Sequence, residues 1–315
     1  MRRSARSSAR WTGRSAMAVA VAAPLVALPA APSQAAPAAR AAAGPAGVAA
    51  KSAYLFDSGT RKTRWSRAAT TKRPIASITK VMTALVVLRA GKLDRTITVK
   101  QKYIDYAVRQ GGSMANLRAG DRLTVRQLLN GLMLPSGCDV AYALADVYGP
   151  GWKGFVTKMN KTAAQLGMKH TKYANFDGLP WPTATSTYST AYDQTRLAYY
   201  ALKRADFRAV VARRAYKLAK STTHGAYSWT NTNRLLGSYT GAAGVKTGTT
   251  DAAGYSLMFT ARRGTRTLVG IVLNSSTTDE TARFTDAARI LDWGFGAKSA
   301  GVLRVPPVPA GANVD

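Results

Sequence analysis

Arg73-Pro74-Ile75-Ala76-Ser77-Ile78-Thr79-Lys80 leads into an almost uniformly apolar run: Val81, Met82, Ala84, Leu85, Val86, Val87 and Leu88. A surface helix is apolar on one face only, so a run that is apolar all round predicts a buried central helix. Pro74 stands just ahead of its start, where a fixed φ and a missing N–H do no harm, and Gly91 supplies a stop. Ser77 and Lys80 stand at helical i, i+3 spacing and share one face. A buried lysine costs several kcal/mol unless it is paired or neutral, so this hydroxyl–amine pair points to chemistry.

Outward from that helix, strands gather at the two ends of the chain and helices in the middle. Residues 53–57 and 63–66 predict a hairpin turned by Ser58-Gly59-Thr60, and 96–99 a short strand. Residues 123–148 carry the helical period, broken at Pro135-Ser136-Gly137, and 152–166 carry another helix. Thr190-Ala191-Tyr192-Asp193 resembles a capping box with aspartate in place of Glu or Gln. Residues 244–249, 255–261 and 268–273 predict three antiparallel strands, followed by a helix over 280–293. The expected class is α/β in the α+β sense: an antiparallel sheet flanked by terminal helices, with a mostly helical region inserted.

The first 35 residues stand apart. Arg2, Arg3, Arg6, Arg10 and Arg14 precede an apolar stretch, and Ser33-Gln34-Ala35 fits a cleavage site, the pattern of a secretory signal peptide. Residues 36–51 read as a linker, 52–297 as the catalytic domain and 298–315 as a disordered tail. The protein is therefore expected outside the cell, in the wall or on the outer face of the cytoplasmic membrane. The one cysteine, Cys138, excludes an intrachain disulfide framework. His170 and His224 form no metal-ligand pattern, and neither a metal nor a cofactor is expected.

Formal net charge is +30, or +25 without the five arginines of the leader. The basic residues are scattered, without a nucleic-acid-binding motif, so nucleic acid is excluded as a partner. Outside the membrane such charge fits electrostatic association with an anionic cell wall; it serves solubility equally well.

Two further signals follow Ser77-Ile78-Thr79-Lys80. Ser136-Gly137-Cys138 lies at the break between helices, and Lys246-Thr247-Gly248, followed by Thr249, ends a strand. Taken singly each has an ordinary reading: Ser136 as a helix N-cap, Thr247-Gly248 as a turn, Lys80 as a snorkelling side chain. Ser-x-x-Lys, an inter-helix serine motif and Lys-Thr-Gly in this order are the signature of penicillin-recognising serine enzymes. Over residues 50–297 the chain resembles the D-alanyl-D-alanine carboxypeptidases, low-molecular-mass penicillin-binding proteins of the β-lactamase/DD-peptidase fold. It is most similar to the short actinobacterial DD-peptidases and transpeptidases whose second motif reads Ser-Gly-Cys. Gly112-Ser113-Met114, Phe176-Asp177-Gly178-Leu179 and Ser189-Thr190-Ala191 belong to the same likeness.

The resemblance implies a Ser77 acyl-enzyme formed on peptidoglycan stem peptides ending in D-Ala-D-Ala, with β-lactams as inhibitors. A hydroxyl is a weak nucleophile until a base takes its proton. Lys80 is the expected base, its pKa lowered by burial and by Lys246, and Ser136 the expected proton relay. The N–H groups of Ser77 and Thr249 are the expected oxyanion donors. Lys246, Thr247, Gly248 and Thr249 are expected to bind substrate through its terminal carboxylate, with Arg283 a further candidate. Cys138 departs from the family's usual asparagine and is read as a wall of the site, since a thiol donates and accepts only weakly. Three alternatives remain: a DD-transpeptidase with an amine acceptor, a β-lactamase, or a non-catalytic β-lactam sensor. The class A β-lactamases deacylate through a glutamate between the second and third motifs. The only glutamate here, Glu280, follows the third.

Overall fold

The computed structural model describes residues 44–297 and 303–313. The leader and the first half of the expected linker, residues 36–43, lie outside the described residues. A five-stranded antiparallel sheet is built from β1 (Ser52–Asp57), β2 (Lys62–Arg67), β3 (Ala242–Gly248), β4 (Ser256–Arg263) and β5 (Arg266–Leu273). Its order is β2-β1-β5-β4-β3, so the first hairpin joins the last three strands through β1 and β5. The register pairs Ala53 with Val272, Leu257 with Val272 and Leu257 with Thr247.

Between β2 and β3 run α1 (Lys80–Ala90), α2 (Gln101–Arg109), α3 (Val125–Met133), α4 (Cys138–Tyr148), α5 (Gly151–Gln165), α6 (Ala191–Ala201) and α7 (Ala205–Val211). After β5 comes α8 (Ala282–Phe295).

Alternation along the strands separates two cores. Ala53, Leu55, Leu257, Phe259 and Val272 pack with Phe284, Ile290 and Leu291 of α8. Tyr54, Met258, Val269 and Ile271 belong to the larger core, which holds the inserted helices. Each fully buried Leu, Ile or Phe contributes about 1.5–3 kcal/mol. α1 is buried from Lys80 to Leu88, as its all-round apolarity requires, and Gly91 ends it. A 3₁₀ turn, Ala76–Thr79, precedes it, so Ser77 lies on that turn rather than in the α-helix.

Several elements had no clear sequence signal. α2 and α7 are short, and the hairpin Ala215–Leu218 with Tyr227–Thr230 carries many polar residues. The end of the expected linker is part of the domain: Asp286 of α8 accepts hydrogen bonds from the N–H groups of Ala49 (2.9 Å) and Ala50 (2.8 Å). Residues 303–313, within the stretch expected as a tail, make contacts with the domain. There Leu303 and Val305 pack on the α8 core, Arg234 donates to the Pro306 carbonyl (2.7 Å), and Asn313 donates to the carbonyls of Met114 and Pro135 (both 2.7 Å). These are contacts with sequence-distant partners, which composition does not reveal. Among the described residues no helix is long and apolar enough to cross a membrane.

Candidate active site

The 3₁₀ turn places Ser77 at the mouth of α1 with 6% of its surface exposed, while Lys80 beneath it is fully buried. Lys80 Nζ lies 2.8 Å from Ser77 Oγ, 3.3 Å from Ser136 Oγ and 3.3 Å from the Asp177 carbonyl oxygen. Three polar partners compensate the burial of the amine, and they hold it between the two hydroxyls. The local backbone is strained: Ala76 has φ +45° and Ser136 φ +64°, each a conformation that costs an L-residue on the order of 1 kcal/mol. The strain is held by tertiary contacts. Gly137 N–H donates to the Gly131 carbonyl (3.0 Å), and Cys138 N–H to the Ser113 carbonyl (2.7 Å).

β3 forms the facing wall. Lys246 and Thr247 are buried, and Lys246 Nζ lies 3.1 Å from the Thr247 carbonyl and 3.2 Å from its hydroxyl. The Thr247 and Thr232 hydroxyls share a 2.6 Å hydrogen bond. Gly248 is required by proximity: a Cβ there would meet Ile78 N at 2.9 Å and Ile75 O at 3.0 Å. The strand can approach the turn carrying Ser77 only because that position lacks a side chain.

Arg283 has no exposed surface. Its guanidinium donates to Thr249 Oγ1 (2.9 Å) and to Glu280 (2.8 Å), and Glu280 also pairs with Arg234 (2.7 Å). The structure thus places Arg283 behind Thr249, where it orients that hydroxyl from inside the protein. Cys138 begins α4 and is buried at 1% exposure; its Sγ approaches the Ser136 carbonyl at 3.9 Å. A Cβ on Gly112 would stand 2.7 Å from that sulfur, so the thiol wall and the Gly112 backbone are in close contact.

Sequence reasoning assigned no role to two buried aspartates that brace these loops. Asp139 accepts from the N–H groups of Ala115 (3.0 Å), Val140 (2.9 Å) and Leu117 (3.1 Å), tying the second motif to the 113–117 segment. Asp177 accepts from Tyr106 Oη (2.7 Å) and Leu179 N–H (3.1 Å), and Trp181 Nε1 donates to the same tyrosine oxygen (2.7 Å). Burial pushes both carboxyls above their usual value, against the opposing pull of these hydrogen bonds and, for Asp177, of Lys80. The adjacency of Asp139 to Ser-Gly-Cys, and Phe-Asp-Gly-Leu itself, were the available signals.

A cavity of about 370 Å³ opens onto Ser77, with Ser113, Leu179, Thr249, Asp251 and Tyr255 among its lining residues. A larger cleft of about 630 Å³, bordered by Tyr199, Lys203 and Arg208, contains no residue of the three motifs. Among the described residues no cluster of His, Cys, Asp and Glu could hold a metal ion. A nucleophile within reach of an amine, a second hydroxyl within reach of that amine, and an open cavity over the nucleophile suit acyl transfer.

A family model described as D-alanyl-D-alanine carboxypeptidase matches residues 38–277. The D-alanyl-D-alanine carboxypeptidase of Streptomyces sp. (strain K15) is 45% identical over 260 residues, covering 79% of this chain and 88% of the relative. A D-alanyl-D-alanine carboxypeptidase of Bacillus subtilis (strain 168) is 34% identical over 249 residues; the match spans 78% of this chain and 62% of that longer protein. The crystal structure of the Streptomyces K15 DD-transpeptidase superposes with a TM-score of 0.74 at 44% identity, covering 79% of this chain and 98% of that one. A D-alanyl-D-alanine carboxypeptidase from Mycobacterium tuberculosis H37Rv superposes at 0.70 with 30% identity, over 84% of this chain and 96% of that one.

Proposed function

The chain belongs to the D-alanyl-D-alanine carboxypeptidase family, and from that premise we propose that Ser77, Lys80 and Ser136 carry its acyl-transfer chemistry. The protein is a serine-type D-Ala-D-Ala carboxypeptidase acting on peptidoglycan stem peptides, and it is acylated by penicillin. The observation that carries the residue assignment is the position of Lys80 Nζ, 2.8 Å from one hydroxyl and 3.3 Å from the other.

In the first step Ser77 Oγ attacks the carbonyl carbon of the penultimate D-Ala, and its proton passes to Lys80 Nζ, which accepts it in its deprotonated form. The developing oxyanion is received by the N–H groups of Ser77 and Thr249, each such donor being worth about 10²–10³ in rate. As the C–N bond breaks, the proton travels from Lys80 through Ser136 to the departing amine. The terminal carboxylate of the leaving D-Ala is held by Lys246, Thr247 and Thr249, with Arg283 fixing the Thr249 hydroxyl. Water then adds to the acyl-enzyme carbonyl, its proton taken by Lys80; the bond to Ser77 Oγ breaks, that proton returns to Ser77 Oγ, and the shortened peptide leaves. Gly248 admits the close approach of this wall to the nucleophile, and Cys138 packs beside Ser136 and Gly112.

A second reading, amide transfer to an amine acceptor, is favoured by the Streptomyces K15 neighbour, whose structure is that of a DD-transpeptidase. The two readings share every step up to the acyl-enzyme. A D-Ala-D-Ala peptide supplied with and without an amine acceptor separates them: free D-Ala with hydrolysed peptide in the absence of acceptor supports the carboxypeptidase, and turnover only with acceptor supports the transpeptidase. Labelled penicillin should attach to Ser77; label on another residue, or label surviving Ser77→Ala, overturns the assignment.

Export by the N-terminal leader and association of the basic surface with the anionic wall complete the proposal. Retention on isolated walls that weakens as salt rises is the expected sign of the latter.

A further inference from the structure

We infer that Asn313 is a positioning residue for the proton relay: its side-chain amide clamps the backbone that carries Ser136 and keeps that hydroxyl beside Lys80. This deepens the reading above and rests on it. Ser136 has φ +64°, a conformation that an L-residue leaves unless its surroundings hold it. Its Oγ nevertheless stands 3.3 Å from Lys80 Nζ, so the backbone on both sides must be fixed. Leu134 O accepts from Thr232 N–H (3.1 Å), Gly137 N–H donates to Gly131 O (3.0 Å), and Cys138 N–H donates to Ser113 O (2.7 Å).

The remaining carbonyl, that of Pro135, accepts from Asn313 Nδ2 at 2.7 Å. That oxygen belongs to the planar peptide group ending at the Ser136 Cα, so a bond to it fixes the plane from which the Ser136 side chain departs. The same amide nitrogen donates to the Met114 carbonyl, also at 2.7 Å. Pro135 is buried, and among the described residues neither carbonyl has another donor. Met114 stands between Ser113, whose carbonyl takes the Cys138 N–H, and Ala115, whose N–H goes to Asp139 (3.0 Å). One amide therefore spans the two segments that meet at the second motif, and it uses both of its N–H groups to do so.

The segment that bears Asn313 is itself docked. Leu303 and Val305 pack on the α8 core, and Arg234, paired with Glu280 (2.7 Å), donates to the Pro306 carbonyl (2.7 Å). A turn closed by Ala312 N–H on Pro309 O (3.0 Å) then brings Asn313 to the two carbonyls, with Gly311 at φ +73° inside it. The amide thus reaches the relay from a part of the chain that none of the three motifs includes.

The test measures acylation by labelled penicillin and turnover of a D-Ala-D-Ala peptide on the full chain. Asn313→Ala, Asn313→Asp and Asn313→Gln are each made with Ser136 intact and with Ser136→Ala. With Ser136 intact, Asn313→Ala should lower the acylation rate and kcat about three- to tenfold, the rate equivalent of a hydrogen bond, and move KM by less than about twofold. Asn313→Asp, whose carboxylate has no donor for two carbonyl oxygens, should fall at least as far, and Asn313→Gln, which keeps both donors, should lose less. In the Ser136→Ala background, Asn313→Ala should cost less than about twofold more, because a clamp that acts through the relay has nothing left to position. Parent-like acylation by Asn313→Ala, or a loss of equal size in the Ser136→Ala background, overturns the inference. So does a lower melting temperature with unchanged kinetic constants, the mark of a merely structural contact. Parent-like acylation by Ser136→Ala alone overturns the underlying relay assignment instead, and that measurement does not involve Asn313.

Discussion

Gly178 is set so tightly against Ala76 that a Cβ at position 178 would stand 1.9 Å from the Ala76 carbonyl oxygen. Gly178 also has φ +86°, a conformation that favours glycine. The contact supports the strained residue immediately before Ser77. Gly178→Ala must therefore push the nucleophile's turn away or distort the 177–179 loop, with Asp177 and its contact to Lys80. The expected outcome is a fall in penicillin acylation of at least about tenfold, with a stability loss of about 1–3 kcal/mol from strain and overpacking. Acylation kinetics and thermal melts check it; wild-type acylation in this variant would show that the contact does not position Ser77.

Arg283→Leu removes the donor that holds Thr249 Oγ1 and leaves Glu280 with Arg234 as its ion-pair partner. The loss of hydrogen bonds to a buried charge should cost about 1–3 kcal/mol. Peptide turnover should fall, because the Thr249 hydroxyl loses its orientation toward the substrate carboxylate. The split between KM and kcat is informative: a merely structural role would lower the melting temperature while leaving KM for the peptide unchanged.

Cys138 Sγ approaches the Ser136 carbonyl at 3.9 Å, and the residue is 1% exposed. Cys138→Ala should accordingly keep penicillin acylation within about threefold of the parent, since a thiol is a weak hydrogen-bonding group. The native thiol should react with a maleimide far more slowly than in denaturant. Rapid native labelling would place the sulfur in the open cavity instead of its wall. Cys138→Asn tests whether an amide at this position raises peptide turnover above that of Cys138→Ala.

Asp146 supplies a pH-dependent part of the stability. Burial works against its charge, but hydrogen bonds from Lys102 (2.8 Å) and Tyr103 (2.8 Å), with Lys100 nearby, hold its carboxyl below the usual 3.8. A depressed folded-state pKa gives stability that is present above 3.8 and is lost as pH falls through the still lower folded value. Asp146→Asn should therefore lower stability at neutral pH by about 1 kcal/mol, and the difference from the parent should close on acidification. Denaturant titrations at neutral and strongly acidic pH provide the comparison.

The sequence carried the parts of this protein that short-range patterns encode. The all-round apolarity of Val81 to Leu88 set a buried helix, the short turn-bounded runs at 53–57, 255–261 and 268–273 set strands, and Thr190 was legible as the cap that accepts from Asp193 N–H (3.1 Å). The ordered motifs at Ser77, Ser136 and Lys246 carried the reaction class. Tertiary structure alone decided which groups meet across long separations. Lys80 reaches Ser136 across 56 positions and the Asp177 carbonyl across 97, and Arg283 reaches Thr249 across 34. The 3₁₀ turn under Ser77, the glycine contacts at 178 and 248, and the docking of residues 303–313 depend equally on neighbours that arrive only when the chain closes. Helical and strand periods report which face of an element is dry; they do not report which distant oxygen will satisfy a buried amine, because that is fixed by the packing of whole elements.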